Sequence, residues 1–174
     1  EKGKLFAAYE SATRSLSKAG IKNYEILLIT NTAPDGSDDG TPKIASDIAA
    51  KDSSVQHIHN NDYVGLGFKY RQGVDLATKN YVVMIPGDGE FEEDSVVDVI
   101  SYTGKADLVI PFISNQEVRP QERQTTSRMF TVLCNTLFGL TLRYYNGICI
   151  IPVEYLRRVP MNCDNFAYMA EILI

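Results

Sequence analysis

Apolar residues follow two alternating patterns along the chain. Short runs of β-branched and other apolar residues are typical of buried strands, and they occupy residues 25–30, 55–59, 81–86, 107–112 and 147–151. Apolar residues also recur every three or four positions, which predicts helices over residues 4–19, 42–51, 67–79, 93–102 and 121–140. Helices and strands therefore alternate over most of the sequence.

This alternation predicts an α/β fold with a mainly parallel sheet and helices on both faces. A length of 174 residues fits one domain, so we expect residues 1–174 to form a single domain. The first predicted helix has no strand before it, although helices in such folds usually follow one. We therefore expect this segment to lack a first strand, and a C-terminal remainder as well.

The charge of the chain excludes one class of function and divides the sequence into two parts. A net charge of −5 is a poor match to the phosphate backbone of a nucleic acid, so general nucleic-acid binding is excluded. Acidic residues outnumber basic ones over residues 1–104, whereas every cation after Lys105 is an arginine. Because the planar guanidinium binds phosphates and carboxylates with two hydrogen bonds, the second part is a candidate anion-binding region.

The cysteine pattern indicates a reducing compartment. Cys134, Cys149 and Cys163 lie far apart and form no C-x-x-C pair, which favours buried thiols over disulfides or a zinc site. No apolar run reaches the roughly 20 residues that a membrane-spanning helix needs. These features predict a cytoplasmic location.

Two loops at the carboxyl ends of predicted strands carry candidate chemistry, since ligands of open α/β sheets bind at that edge. The first loop contains Asp35 and Asp39 among glycines and hydroxyl residues, and Thr41 before Pro42 is predicted to be the N-cap of the next helix. The second contains Asp88, flanked by two glycines. A carboxylate in that position suits a hard divalent cation that also bridges substrate phosphates.

Three segments together resemble family 2 glycosyltransferases of the GT-A fold. They are Asp-Gly-Ser-Asp-Asp-Gly-Thr at residues 35–41, Val-Gly-Leu-Gly at residues 64–67, and the segment that ends in Pro-Gly-Asp-Gly-Glu at residues 81–90. No single segment is specific, but their order and spacing are.

The later part of the chain is similar to one branch of that family. Arg119 and Arg123, the segment 127–139, and the segment 164–173 follow the layout of polyprenyl-phosphate sugar transferases such as dolichol-phosphate mannosyltransferase. The resemblance extends from about residue 24 to the end of the sequence. It implies a lipid-phosphate acceptor.

For the donor, the resemblance implies a nucleoside-diphosphate sugar linked to UDP or GDP. Asp35 and Asp39 match the acidic loop that contacts the nucleoside, and Gly67 belongs to the same donor-binding set. Asp88 matches the last aspartate of the D-x-D motif, which binds Mg²⁺ or Mn²⁺ on the diphosphate. Pro86 occupies the position of the first aspartate of that motif, and Glu90 is close enough to supply a second metal oxygen.

For the acceptor, the resemblance implies that Arg119, Arg123 and Arg128 bind the phosphate. A phosphate monoester is largely anionic at pH 7 and needs no strong base. A sugar hydroxyl does need one, and Asp164 is then the candidate general base, although it could equally be a capping residue. The apolar helix over residues 127–140 is either a core helix or an element in peripheral contact with a membrane.

The sequence thus predicts an inverting glycosyltransferase that acts on a polyprenyl phosphate or a glycan, in the cytoplasm or at the cytoplasmic face of a membrane. Two alternatives stay open. One is a sugar nucleotidyltransferase, and the other is a non-catalytic domain that binds nucleotide sugars or serves as a scaffold. His57 and His59 alternate on a predicted strand and share a face, but no third ligand nearby supports a metal site there.

Overall fold

A computed structural model describes residues 3–89, 91–115 and 119–174. The helices are α1 (Leu5–Lys18), α2 (Thr41–Ala49), α3 (Leu66–Leu76), α4 (Glu93–Ser101), α5 (Gln121–Phe138), α6 (Val153–Leu156) and α7 (Tyr168–Leu173). The strands are β1 (Ile26–Asn31), β2 (Val55–Asn60), β3 (Tyr81–Val83) and β4 (Ile150–Pro152). No helix in these ranges is long and apolar enough to cross a membrane.

The longer strand pair is parallel, as predicted. β1 pairs with β2 from Ile26 opposite Val55 to Asn31 opposite Asn60, and α2 makes the connection between them. α2 packs on both strands through an apolar face that includes the buried residues Ala45 and Ile48. This β-α-β unit confirms the predicted α/β class.

The second strand pair differs from the expected parallel arrangement. β4 runs antiparallel to β3, with Tyr81 opposite Pro152 and Val83 opposite Ile150. The strand predicted over residues 107–112 is reduced to one antiparallel bridge, in which Val109 and Ile150 exchange backbone hydrogen bonds of 3.1 and 3.0 Å. Pro111 has no N–H to donate, so the ladder cannot extend through that position.

Three helix boundaries depart from the predicted ones for local reasons. The N-cap of α2 is Gly40 in a left-handed conformation (φ 81°), so the assignment of that role to Thr41 was wrong. α3 ends at Leu76 because Ala77 has an extended backbone (ψ 131°). α5 ends before Gly139, whose left-handed φ of 67° terminates the helix.

Apolar clusters fix the helices on the sheets. Tyr70 and Val74 of α3 pack with Ile151 of β4 and with Tyr168 and Met169 of α7. The Tyr70 and Tyr168 rings lie 4.8 Å apart, centroid to centroid. A second cluster contains the buried residues Val96 and Ile100 of α4 and Ile148, which precedes β4. Leu16 of α1 packs against it.

The two strand pairs face each other across a cavity. Among the described residues, β1 pairs only with β2 and β3 only with β4, so each has one edge without a strand partner. A cavity of about 1200 Å³ lies between these edges, lined by residues 26–31, by residues 81–88 and by one face of α1. The cavity positions the candidate site.

Candidate active site

β1 and β3 begin side by side at one end of this cavity. The carboxylate of Glu25 accepts hydrogen bonds from the backbone N–H groups of Thr78 (2.6 Å) and Lys79 (3.1 Å), and Lys79 Nζ donates to Asn23 (2.7 Å). Beyond the carboxyl ends of the two strands, the lining of the cavity becomes polar. Its polar residues there include Asn31, Asp38, Asp39, Lys69 and Asp88.

The acidic loop after β1 is shaped by its own carboxylates. Asp35 accepts the N–H of Ser37 (2.9 Å), Asp38 accepts that of Gly40 (2.7 Å), and Asp39 accepts that of Thr41 (2.9 Å). Hydrogen bonds from Ser37 lower the pKa of Asp35, and hydrogen bonds from Thr41 hold the pKa of Asp39 far below its usual range. Both groups are therefore anionic at neutral pH.

Of the two predicted donor-binding residues in this loop, Asp39 lies at the cavity and Asp35 does not. Asp39 lines the cavity, together with Asp38 and Ser37. Asp35 is exposed and lies outside the lining. The structure thus brings Asp39, but not Asp35, to the cavity that Asp88 also lines.

Asp88 follows β3 through Pro86 and Gly87, beside the start of α1. A Cβ atom built on Gly87 would lie 3.4 Å from Leu5 Cδ1, which shows how closely the two segments approach. Glu90, the predicted second metal residue, lies outside the described residues. Within the described ranges, no three His, Cys, Asp or Glu side chains gather in a geometry that holds a metal ion.

Lys69 was not identified from the sequence. It lies in the first turn of α3, lines the cavity and donates a hydrogen bond from Nζ to Asn31 Oδ1 (2.9 Å) at the end of β1. The position of a lysine four residues after Gly65, at the start of a helix that follows a strand, was the only signal available. It places an ammonium group in the lining of the cavity that Asp39 and Asp88 also line.

The segment with Asp164 packs against the start of α3. Arg71 donates to Asp164 Oδ1 (2.8 Å) and to the carbonyl oxygen of Met161 (2.6 Å). The backbone carbonyl of Asp164 accepts the N–H of Gly67 (2.8 Å). Gly67 therefore contacts this segment, and neither Gly67 nor Asp164 lines the cavity, whereas Asn165 does.

The three predicted acceptor arginines lie away from the cavity lining. Arg119 Nη1 is 3.5 Å from the hydroxyl oxygen of Tyr144, and Arg123 and Arg128 are exposed on α5. The second half of α5 also exposes large apolar side chains, namely Met129, Val132, Leu133, Leu137 and Phe138. Cations and apolar side chains therefore share the exposed surface of this helix.

The two histidines of β2 share one face, as predicted. The hydroxyl of Thr30 lies 2.8 Å from His57 Nε2 and 3.0 Å from His59 Nδ1. Burial lowers the pKa of His57, which favours its neutral form. These contacts satisfy the buried hydroxyl of Thr30 on the β1–β2 sheet.

Two comparisons with known proteins both find glycosyltransferases. The profile of the family described as "Glycosyl transferase family 2" matches residues 8–162. A Bacillus subtilis (strain 168) protein named "Putative glycosyltransferase EpsH" is 30% identical over 113 residues, which cover 61% of this chain. The matched region is 31% of that relative, so the chain spans about a third of its length.

Proposed function

The chain belongs to glycosyl transferase family 2, whose members have the GT-A fold, and we propose that it transfers a sugar with inversion from a nucleoside-diphosphate sugar to a phosphate-bearing acceptor. The observation that supports this most directly is the polar end of the cavity between β1 and β3. It combines the carboxylates of Asp39 and Asp88 with the ammonium group of Lys69 at the carboxyl ends of two strands.

In this proposal the donor lies across the ends of the two strands. Asp39 accepts hydrogen bonds from the nucleoside, with Asp35 further out on the same loop. Lys69 contributes positive charge toward the diphosphate, which is the leaving group. Charge that develops there in the transition state is then stabilised by groups already in place.

Asp88 fits a Mg²⁺ or Mn²⁺ ion that is held in part by the donor. Mg²⁺ in such sites typically uses one or two carboxylates together with substrate phosphates and water, so a single protein carboxylate is sufficient. When bound, the ion would neutralise phosphate charge and assist departure of the nucleoside diphosphate. Pro86, which replaces a second carboxylate, makes the site more dependent on the phosphates.

On the acceptor side, we propose a polyprenyl phosphate. The exposed surface of α5 combines Arg128 with Met129, Leu133 and Leu137, a pattern typical of helices that lie at a lipid interface. Arg119, which precedes α5, and Arg123, in its first turn, are the proposed phosphate contacts. For a glycan acceptor, which must lose a proton, Asp164 is the proposed general base, with Arg71 holding its Oδ1.

We also propose that a further strand, preceding α1 in the natural protein, fills the apolar part of the cavity. β1 and β3 begin together, and no strand among the described residues pairs with their facing edges. α1 begins beside Gly87, at the edge where a strand parallel to β1 would end, and then runs along the cavity. A strand–helix connection of this kind completes a right-handed β-α-β unit with β1.

A non-catalytic nucleotide-sugar-binding domain is the second candidate. Pro86 in place of a carboxylate favours it, because the described residues then offer Asp88 without a second acid at the neighbouring position. The two candidates share ligand binding and differ in turnover.

Calorimetry with UDP and GDP, each with and without Mn²⁺, tests the common part of both proposals. We expect one nucleotide to bind more tightly when Mn²⁺ is present. Transfer is then followed with the matching nucleotide sugars and a short-chain polyprenyl phosphate. Binding without transfer or donor hydrolysis supports the non-catalytic candidate, and a lack of binding under every condition contradicts both.

A further inference from the structure

The segment from Met161 to Phe166 is held by hydrogen bonds from two sides. On one side, the guanidinium group of Arg71 in α3 donates to Met161 O and to Asp164 Oδ1. On the other, the carboxylate of Glu171 in α7 accepts the backbone N–H groups of Asn162 (3.0 Å) and Cys163 (2.8 Å). These amide hydrogen bonds lower the pKa of Glu171, so its carboxylate is ionised at neutral pH.

The backbone at the start of α3 also packs closely against this segment. Gly65 and Gly67 lie so near the carbonyl groups of Cys163 and Asp164 that no Cβ atom would fit on either glycine. The Phe68 ring also lies under the guanidinium of Arg71, with 5.3 Å between the ring centroid and Cζ. Arg71 thus stacks on Phe68 in its own helix while its guanidinium group donates hydrogen bonds to the segment 161–166.

This segment presents an exposed aromatic ring to the cavity. Phe166 is 78% exposed, more than any other large apolar side chain among the described residues, and it lines the cavity beside Asn165. The same cavity contains Asp39 and Asp88. Packing of the domain does not account for a phenyl ring in that position, whereas a planar ligand ring would cover it.

We infer that Phe166 stacks on the nucleobase of the donor and that Arg71 is a positioning residue that sets the place of this ring through the segment 161–165. The inference rests on the proposed function for the class of its ligand, a nucleoside diphosphate. Stacking of an aromatic side chain on a base is tolerant of base identity, so both UDP and GDP are suitable probes. Because inorganic diphosphate has no base, this contact should strengthen binding of a nucleoside diphosphate but not of inorganic diphosphate.

A tryptophan variant gives a direct readout because the chain contains no Trp. In Phe166→Trp, the single indole lies at the proposed contact, and we expect its fluorescence to change as UDP or GDP binds. Inorganic diphosphate with Mn²⁺ should leave the emission unchanged. Phe6→Trp is the matched control, since Phe6 is 52% exposed on α1 and does not line the cavity.

Affinity measurements on substituted proteins test both parts of the inference. We expect Phe166→Ala to weaken binding of the preferred nucleoside diphosphate roughly tenfold, and inorganic diphosphate hardly at all. Arg71→Lys keeps the charge but loses the fork that reaches two oxygen atoms, so it should weaken the nucleotide in the same selective way. Arg71→Gln, with its urea midpoint measured in parallel, separates loss of positioning from loss of folding.

The outcomes distinguish this inference from the proposed function. If the unmodified protein binds a nucleoside diphosphate and Phe166→Ala binds it equally well, the stacking contact is wrong while the proposed function stands. If Phe166→Ala weakens the nucleotide but folded Arg71→Lys and Arg71→Gln do not, the positioning role is wrong. If the unmodified protein binds neither UDP nor GDP, the proposed function itself is contradicted.

Discussion

The backbone carbonyl of Asp164 accepts a hydrogen bond of 2.8 Å from the N–H of Gly67, at the first turn of α3. The first amides of a helix have no partner within the helix, so this carbonyl satisfies a donor that would otherwise need water. It also joins residues far apart in the sequence. The candidate donor cavity and the segment that carries Asp164 are thereby connected through the start of one helix.

Gly67→Ala tests how strictly this contact is packed. A Cβ atom on Gly67 would overlap the carbonyl oxygen of Cys163 and lie 2.8 Å from Tyr168 Cβ, so the segment would have to move. We expect a loss of about 3 kcal/mol in the free energy of unfolding, measured by urea denaturation. Gly3→Ala is the control, because no atom lies within 4 Å of its added Cβ. Equal stability of the two variants would show that the segment is not packed in this way.

Asp88→Asn tests the assignment of the metal. The substitution keeps the shape of the side chain and removes its charge, so we expect Mn²⁺ to lose its effect on nucleotide affinity, a change of at least about tenfold. Asp94→Asn is the control, since that carboxylate is 94% exposed in the same acidic stretch. Calorimetry with and without Mn²⁺ provides the measurement. If Mn²⁺ still strengthens binding to Asp88→Asn, another residue holds the ion.

The local pattern of apolar residues predicted β1 and β2, but it did not predict the short pairing at residues 107–112 or the direction of β4. Apolar runs located β1 and β2 because both are regular and pair over their full length. The run at residues 107–112 has the same composition but contains Pro111, and β-propensity does not show which partner edge is available. The direction of β4 depends on the path that the chain takes from α5 to the sheet. The periodicity of apolar residues carries no information about that path.

The candidate-site residues that lie in short loops directly after strands could be predicted from the sequence. Asp39 and Asp88 follow strands and line one cavity, as strand-end reasoning expects. Lys69, Arg71 and Phe166 were not predicted, because the roles proposed for them depend on contacts between α3, the cavity and a segment about 95 residues later. A single lysine, arginine or phenylalanine in a helix or loop carries no such information by itself.

The three cysteines should differ sharply in reactivity. Burial raises the pKa of Cys149 to about 12, so only about one in 10,000 of its thiols is ionised at pH 8. Cys134 is also buried, whereas Cys163 is partly exposed. We expect one fast thiol in the native protein with a disulfide reagent at pH 8, and three after unfolding in urea. Cys163→Ser should remove the fast phase, and a fast thiol that persists in this variant would contradict the assignment.

Amide hydrogen exchange tests the proposed additional strand. The N–H groups of Ile26 and Thr32 bond to residues at the two ends of the β2 segment, so those of Leu28 and Thr30 also face β2. Those of Leu27, Ile29 and Asn31 face the cavity. In protein produced from the complete coding sequence, we expect these odd-numbered amides to become as protected as the even-numbered ones.

The 174-residue chain is the reference for that experiment. Its odd-numbered β1 amides should exchange about a hundredfold faster than its even-numbered ones, because no strand in the described part of the chain pairs with the edge that the odd-numbered amides face. Equal protection of both sets in the short chain would mean that the cavity edge is already paired. Rapid exchange of the odd-numbered set in the complete protein would mean that no strand enters the cavity.

The exposed surface of α5 should bind anionic lipid. Leu133 and Leu137 are 55% and 66% exposed, and Arg128 lies on the same helix. After Glu122 in its first turn, α5 contains no acidic residue that would repel an anionic lipid. We expect the protein to sediment with vesicles of phosphatidylcholine and phosphatidylglycerol, and less with phosphatidylcholine alone. Full burial of a leucine side chain contributes about 2 kcal/mol. Because Leu133 and Leu137 are already partly covered in the folded protein, Leu133→Ser and Leu137→Ser should each weaken partitioning roughly tenfold. Phe6→Ser, on the exposed side of α1, should not. If all three variants partition alike, the apolar surface of α5 does not contact lipid, and a polyprenyl-phosphate acceptor loses its structural support.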